Sequence, residues 1–438
     1  MGNKKLLTYK DTTLTKNDFY TQVNAIKIKF DSFNLIDDFV IINEENPIKF
    51  YTLLFALWDC DKKIIFPNKD FLMGENIYFA KYIATIKKIT LNTKHEKVKN
   101  LDDNIYTVLF SSGSTGKPKG IVHTKDTFVK NAQSVLSSIN IQNITSVIPL
   151  KPYLVSALSH FLVHLYSDSH LIFVDTDDLN SIVDISKNND KLSYVGSPLH
   201  IISMFPFIKN KNPELFFSSG DIFYPSVIED IINKFKNTIF FNVYGMAELG
   251  GRLFINKIDN SIDINLYKNI GKNINNTEVQ IVNDEVQVKS TLLFKGYIID
   301  NNFYKRTEDY FLSGDKVIKV DNHYEFFGRK NDEIKVAGNK VSMKYIEQKI
   351  SLALSNDYTP IIINEEHNLI GNILVLVIYI QNDIQLTRKD IIVLLRKQLE
   401  SYELPHKIYL TKKLPYTQTM KIDRKEIKNL LEDMELVK

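Results

Sequence analysis

From Asp38 to about residue 270 the chain alternates short apolar runs with helically spaced ones, and no other feature restricts its fold as much. Asp38-Phe39-Val40-Ile41-Ile42, Lys63-Ile64-Ile65-Phe66-Pro67, Tyr106 to Phe110, Leu171 to Val174, Tyr194 to Gly196, Leu215 to Phe217 and Ile239 to Val243 read as strands. Helical patterns separate most of them, such as Ile48 to Trp58, and another, Leu14 to Phe30, for which Thr13 or Thr15 is a candidate cap, precedes the first. Such alternation implies parallel α/β layers. Beyond about residue 270 the pattern becomes strand-rich, as in Val279–Val282, Glu285–Val288, Val317–Val320 and Tyr324–Phe327, with the period-2 alternation of an antiparallel sheet or small barrel. The last hundred or so residues hold a helix over Val341–Leu354, a strand over Leu374–Ile380, a helix over Arg388–Leu399 and a basic tail, which suggests a separate small α+β domain.

The bulk numbers exclude several classes. A net charge of +3 over 438 residues gives no reason to expect nucleic acid or an acidic membrane as partner. Cys60 is the only cysteine, so no intrachain disulfide is possible, which suits a reducing compartment. It lies in the apolar run Phe55 to Cys60, where a buried, inert thiol is expected. The lysine-rich N-terminus has no apolar h-region and the longest aliphatic run, Ile373–Ile378, is too short to span a bilayer. A soluble cytoplasmic protein is expected, with no membrane span.

Chemistry enters at Ser111-Ser112-Gly113-Ser114-Thr115-Gly116-Lys117-Pro118-Lys119-Gly120, directly after the strand at Tyr106–Phe110. Its glycines let backbone approach a ligand, and its hydroxyl and ammonium donors suit phosphate oxygens. It is not a Walker A loop, because counted from Gly113 Pro118 stands where that motif requires its second glycine and Gly120 where it requires serine or threonine. Two tempting alternatives fail. His160 and His164 have the i, i+4 spacing of a metal pair but neither a central glutamate nor an obvious third ligand. No nucleophile elbow or Ser-His-Asp order accompanies His123, which reads as structural.

The loop resembles the phosphate-binding signature of the adenylate-forming enzymes, the superfamily of acyl- and aryl-CoA synthetases, nonribosomal peptide synthetase adenylation domains and firefly luciferase. Further motifs follow in matching order: Ser219-Gly220-Asp221, Asn242-Val243-Tyr244-Gly245-Met246-Ala247-Glu248, Ser313-Gly314-Asp315, Gly328-Arg329 and, near the C-terminus, Met420-Lys421-Ile422-Asp423-Arg424. The resemblance implies an α/β fold: a large N-terminal domain, 1–329, of layered mixed sheets with helices and a distorted barrel, and a mobile α+β lid, 330–438. One peripheral subdomain is shortened between Pro67 and Tyr106.

The resemblance also implies roles. Ser111 through Lys117 hold ATP phosphates, with Ser219, Gly220, Asp221, Asn242, Tyr244, Gly245 and Met246 around adenine, and Asp315 and Arg329 on the ribose and phosphate side. Glu248 holds Mg²⁺, while Lys119 and Lys421 stabilise charge during attack of a carboxylate on the α-phosphorus. Asn331 is the hinge. Gly338 lines the channel for the second substrate, the thiol of CoA or of phosphopantetheine on an acyl carrier protein. Tyr153, His160 and Gly245 border the acid pocket. The region Pro149–Ser156 lacks the aspartate that pairs an α-ammonium in amino-acid-activating members, so a fatty or aromatic acid is favoured over an amino acid. A stand-alone amino-acid adenylation enzyme that loads a carrier protein is the second reading, and the departures Ala247 for threonine and Met420 for glycine, with the shortened N-terminal part, leave a non-catalytic nucleotide-binding remnant as the third.

Overall fold

The computed structural model describes residues 4–31, 38–67, 80–92, 95–102, 104, 106–112, 118–176, 178–208, 213–330, 333–354, 358–367, 371–380, 387–416 and 422–437. Of Asp31, Ser111, Ser112, Pro118, Ser226, Asn265 and Gly371 it describes the backbone alone. Gly113–Lys117, Asn331 and Lys421 lie outside these residues.

The α/β alternation produces two large mixed sheets. The first runs, in spatial order, Lys272–Asn273, Gly251–Ile258, Ile239–Met246, Leu215–Ser219, Leu192–Gly196, Thr145–Ile148, His170–Phe173, Lys5–Tyr9 and Thr12–Thr15. Its central strands are parallel and its outermost pairs antiparallel. The second runs Asn302–Lys305, Gly296–Ile299, Pro118–His123, Thr107–Ser112, Lys63–Ile65, Phe39–Ile42, Ala80–Ala84 and Ile89–Leu91.

Between these sheets lie the helices Pro47–Asp59 and Val155–Tyr166, apolar on nearly every side because both faces are covered. Tyr51 and Phe161 stack across them with ring centroids 4.0 Å apart. Asn46 caps the first helix by accepting from the Lys49 amide, and Pro47 occupies its first turn. Trp58 Nε1 donates to Thr107 Oγ1 at 2.9 Å, tying this helix to the strand that leads into the phosphate loop. On the other face of the first sheet a second core forms, so that Phe217 and Phe241 point to one core while Phe216 and Phe240 point to the other.

The strand-rich region forms an antiparallel sheet of Glu278–Val282, Glu285–Lys289, Phe311–Val320 and His323–Arg329. It closes a core against Met246, Leu249, Leu253 and Ile121, which come from both large sheets. Residues after 332 build a last sheet around Gly371–Ile380, with helices Met343–Ala353 and Arg388–Leu395 packed on it.

Some local expectations change. The first helix starts at Lys16, because Thr15 and Asp18 cap each other's backbone amides, which selects Thr15 over Thr13. The antiparallel pair Lys5–Tyr9 and Thr12–Thr15, polar and threonine-rich, carried no strand pattern in the sequence and is placed by pairing with His170–Phe173. The run Pro67 to Tyr106 includes strands Ala80–Ala84 and Ile89–Leu91, which extend the second sheet. Cys60 sits just beyond the C-terminal end of its helix and is half-buried, so the expected buried thiol is corrected. No helix among the described residues is long and apolar enough to cross a membrane.

Candidate active site

The two ends of the Ser111–Gly120 motif lie on paired strands. Thr107–Ser112 pairs antiparallel with Pro118–His123 in continuous register, from Thr107 opposite His123 to Ser112 opposite Pro118. The strand therefore runs two residues further into the motif than its apolar run suggests. Lys119 emerges from the far arm with its ammonium 5.6 Å from the centroid of the Tyr297 ring. Tyr297 in turn donates to Glu248 Oε1 at 3.0 Å. Burial, reinforced by the Glu248 carboxylate, pushes the phenol pKa up, so it remains a donor. The arrangement joins an ammonium, a phenol and a carboxylate beside this pair of strands. Tyr297 carried no motif signal in the sequence; only the pairing of Gly296–Ile299 with Pro118–His123 places it there.

His123 links the same pair of strands to the Tyr-Gly motif: its Nε2 lies 2.7 Å from the Ala247 carbonyl. Burial pushes its pKa down to about 4, so the neutral ring donates to that carbonyl and is a brace, not a base. At Ala247 the contact is thus made by backbone.

Asn242 and Tyr244 lie on Ile239–Met246, and Ser219 faces Val243 across the parallel register. Gly220, at φ 96°, turns the chain immediately after its strand. Both motifs thus meet at the C-terminal edge of the parallel strands, where open α/β sheets bind ligands. Gly245 permits a close approach: a Cβ there would lie 2.2 Å from the Gly251 carbonyl oxygen. Met246 is buried in the core beneath.

The Tyr244 phenol donates to Asp315 Oδ2, and Arg329 Nε donates to Asp315 Oδ1 at 3.1 Å. Asp315 and Arg329 face each other across paired strands. Three residues named from separate motifs thus form one hydrogen-bonded chain. Asp315 is buried, whereas the Arg329 side chain is largely exposed.

The turn at Gly220-Asp221 also anchors the C-terminal segment. Asp221 accepts from Lys344 Nζ at 2.5 Å. Three residues on, Tyr224 donates to Glu347 Oε2 and to the Pro360 carbonyl at 3.4 and 3.1 Å. Glu347, 1% exposed, also holds Arg424 Nη2 with both carboxylate oxygens, at 2.6 and 2.7 Å, and accepts from the Ile362 amide at 2.8 Å. Arg424 is three residues from Lys421, whose flanking residues Tyr416 and Ile422 form a bridge. Tyr224, Lys344 and Glu347 gave no signal in the sequence.

Other expected residues stand apart. Gly338 lies in an exposed two-residue turn at φ 86°, and a Cβ there would meet nothing within 4 Å. Tyr153 is half-buried against the first core. His160 is buried on helix Val155–Tyr166, edge-on to Phe217 at 5.5 Å. His164 is spent internally: Nδ1 lies 2.7 Å from the His160 carbonyl and Nε2 lies 2.7 Å from Ser146 Oγ.

Comparison with known proteins bears on this geometry. The family model described as AMP-binding enzyme matches residues 40–298, more than half of the chain. The chain belongs to this family. A putative long chain fatty acid-CoA ligase, VraA, from Staphylococcus aureus is 24% identical over 344 residues, covering 75% of this chain and 71% of that protein. A D-alanine–D-alanyl carrier protein ligase from Staphylococcus haemolyticus is 24% identical over 388 residues, covering 83% and 79%. Among solved structures, o-succinylbenzoate CoA synthetase (MenE) from Bacillus subtilis, in complex with its acyl-adenylate intermediate, superposes with a TM-score of 0.79 at 16% identity, covering 97% and 95%. ATP-bound MatB from Rhodopseudomonas palustris superposes with a TM-score of 0.78 at 15% identity, covering 99% and 96%. The chain is thus an adenylate-forming enzyme of the AMP-binding ligase kind, and its α/β architecture is that of the superfamily.

Proposed function

We propose that this enzyme joins a carboxylic acid lacking an α-amine to a thiol, in two half-reactions. The acid carboxylate attacks the α-phosphorus of ATP, pyrophosphate leaves, and the resulting acyl-adenylate is attacked by the thiol of CoA or of carrier-bound phosphopantetheine, releasing AMP. The observation that carries this reading is the convergence of three motifs far apart in the sequence: the phosphate hairpin, the Tyr244–Asp315–Arg329 chain and the Lys119–Tyr297–Glu248 group.

Each residue has a task its chemistry suits. Tyr244 offers a ring face to adenine, beside Asn242 and the Ser219-Gly220-Asp221 turn. Asp315, an acceptor-only carboxylate held by two donors, receives ribose hydroxyls. Lys119 and the hairpin backbone neutralise β- and γ-phosphate charge as pyrophosphate departs. Glu248 is a hard oxygen donor already oriented by Tyr297, so it fits Mg²⁺, which would supply charge neutralisation on the phosphates. Lys421 bridges acid and α-phosphate and offsets repulsion between two anions. Residues 1–329 form the nucleotide and acid domain and 330–438 the lid that carries Lys421. Rotation about Asn331 would bring Gly338 to the thiol channel.

Hydroxylamine trapping tests the proposal. Purified enzyme, Mg²⁺, ATP and a broad acid panel should yield an acid hydroxamate with pyrophosphate release. Repeating the panel with CoA and with holo carrier proteins identifies the acceptor. ATP binding without any hydroxamate would support the remnant reading instead.

A further inference from the structure

Arg252 is buried at 4% exposure, and its guanidinium is satisfied at one corner only. Nε donates to Ser159 Oγ at 3.1 Å, while Nη1 and Nη2 have no hydrogen-bond partner among the described residues. Among the described residues no carboxylate pairs with it. Its backbone is held in place independently: its amide donates to Asn131 Oδ1 and its carbonyl accepts from Asn131 Nδ2. The position is therefore imposed by the fold, and the unpaired charge is carried at a cost. A buried cation without a counter-charge is among the most unfavourable arrangements a fold can retain.

Its location suggests the reason. Arg252 lies directly opposite Gly245 across the antiparallel pair, in the strand that follows the Tyr-Gly motif. Ser159, its single partner, is on helix Val155–Tyr166 next to His160. Both ring nitrogens of His160 are buried and without partners as well, and the ring rests on Phe217, two residues before the Ser219-Gly220 turn. The groups facing Arg252 are thus Ser159 and the imidazoles of His160 and His164, none of them anionic. The guanidinium donors and the imidazole thus belong to neighbouring residues, Arg252 opposite Gly245 and bonded to Ser159, and His160 next to Ser159, and both Gly245 and His160 are expected to border the acid pocket.

We infer that Arg252 and His160 recognise a second carboxylate, so that the acid activated is a dicarboxylic acid that reacts at one end and is held at the other. The inference rests on the proposed acid-binding role of this region and sharpens the expected fatty or aromatic acid into one with an anionic far end. A guanidinium presents two parallel N–H donors to a carboxylate, and a methyl terminus can accept from neither. Ser159 fixes the orientation of the fork. His160, neutral, donates from one ring nitrogen to a carboxylate oxygen. An acid with an apolar tail would leave these donors dry and unpaired, which is why it would be rejected.

The test compares malonate, succinate, glutarate, adipate and phthalate with propionate, butyrate, valerate, hexanoate and benzoate. One arm measures hydroxamate formation. The other measures equilibrium binding by calorimetry in the presence of a non-hydrolysable ATP analogue, which does not depend on turnover. At least one dicarboxylate should exceed its matched monocarboxylate by roughly 10²–10⁴-fold in kcat/KM or in affinity. Arg252→Leu should collapse that ratio towards unity, Arg252→Lys should retain part of it, and Ser159→Ala should weaken dicarboxylate binding with a smaller effect on monocarboxylates. Should Arg252→Leu fail to fold, the other two variants carry the comparison. Wild-type preference for monocarboxylates in both arms, or a ratio unmoved in all folded variants, overturns the inference. If no acid gives hydroxamate, the adenylation reading fails, and the binding arm alone decides for or against the second-carboxylate site.

Discussion

Replacing Glu347 by alanine removes one carboxylate that serves three elements. Arg424 loses both of its short contacts, the buried Ile362 amide loses its acceptor, and Tyr224 loses one of two. Truncating one partner of a buried ion pair costs about 3–5 kcal/mol, because the other charge is left uncompensated. The Arg424 side chain retains 24% exposure and the Asp221 carboxylate nearby, so the lower end of that range applies. The stranded Ile362 amide adds roughly 1 kcal/mol, not fully additive. The expected loss is about 3 kcal/mol, a shift of roughly 10²-fold in the opening equilibrium of the C-terminal segment. Glu347→Gln keeps an acceptor for Ile362 but removes the charge and should cost about half as much. Native-state hydrogen exchange of amides in Tyr358–His367 and Gly371–Ile380 reads this opening locally, without assuming that the whole chain unfolds in one step. A Glu347→Ala effect below about 1 kcal/mol, or equal effects of alanine and glutamine, would refute the reasoning that charge compensation holds this junction.

Lys421→Ala should lower hydroxamate formation on the order of 10²–10³-fold while ATP affinity, measured by calorimetry, changes little; unchanged trapping would remove Lys421 from the adenylation step. Gly245→Ala places a Cβ 2.2 Å from the Gly251 oxygen and so must part the strands beside Tyr244 and Arg252. A stability cost of roughly 1–3 kcal/mol with a raised KM for ATP and acid is expected, and a folded variant with normal kinetics would contradict the packing described. Acid should destabilise the fold. Burial holds His123 and His164 near pKa 4, while an unfolded chain protonates them near 6.5. The unfolded state therefore binds more protons between these values, so the stability present above pH 6.5 is lost as pH falls towards 4. At pH 5 this amounts to at most about 2 kcal/mol per histidine, and a urea midpoint equal at pH 7 and pH 5 would refute it.

The motifs were legible because their chemistry is contiguous. A glycine- and hydroxyl-rich stretch after an apolar run can be read as a phosphate loop wherever it later sits, and the Tyr-Gly and Ser-Gly-Asp motifs likewise carry their donors and acceptors within a few residues. Fold class followed from periodicity, since parallel strands buried on both faces must be continuously apolar and must alternate with helices. Caps were half legible: Thr13 and Thr15 were equivalent in sequence until Asp18 paired with one of them.

Burial and pairing between distant segments are different. Tyr297 became part of the phosphate corner only when Gly296–Ile299 joined the edge of the hairpin. Nothing local marks Glu347 as the acceptor for Arg424, or Arg252 as a buried cation that has no counter-charge among the described residues. A lysine-rich chain contains many charged residues that are simply solvated, and a charge gains meaning when water is removed from it. The sequence by itself determined which phosphate chemistry this protein performs and the layered fold that supports it. Tertiary structure alone decided which charges are dry, hence how Glu347 and Arg424 hold the C-terminal segment to the turn at Asp221 and where Arg252 is buried opposite Gly245, because desolvation is a property of packed neighbours and not of any residue's own place in the chain.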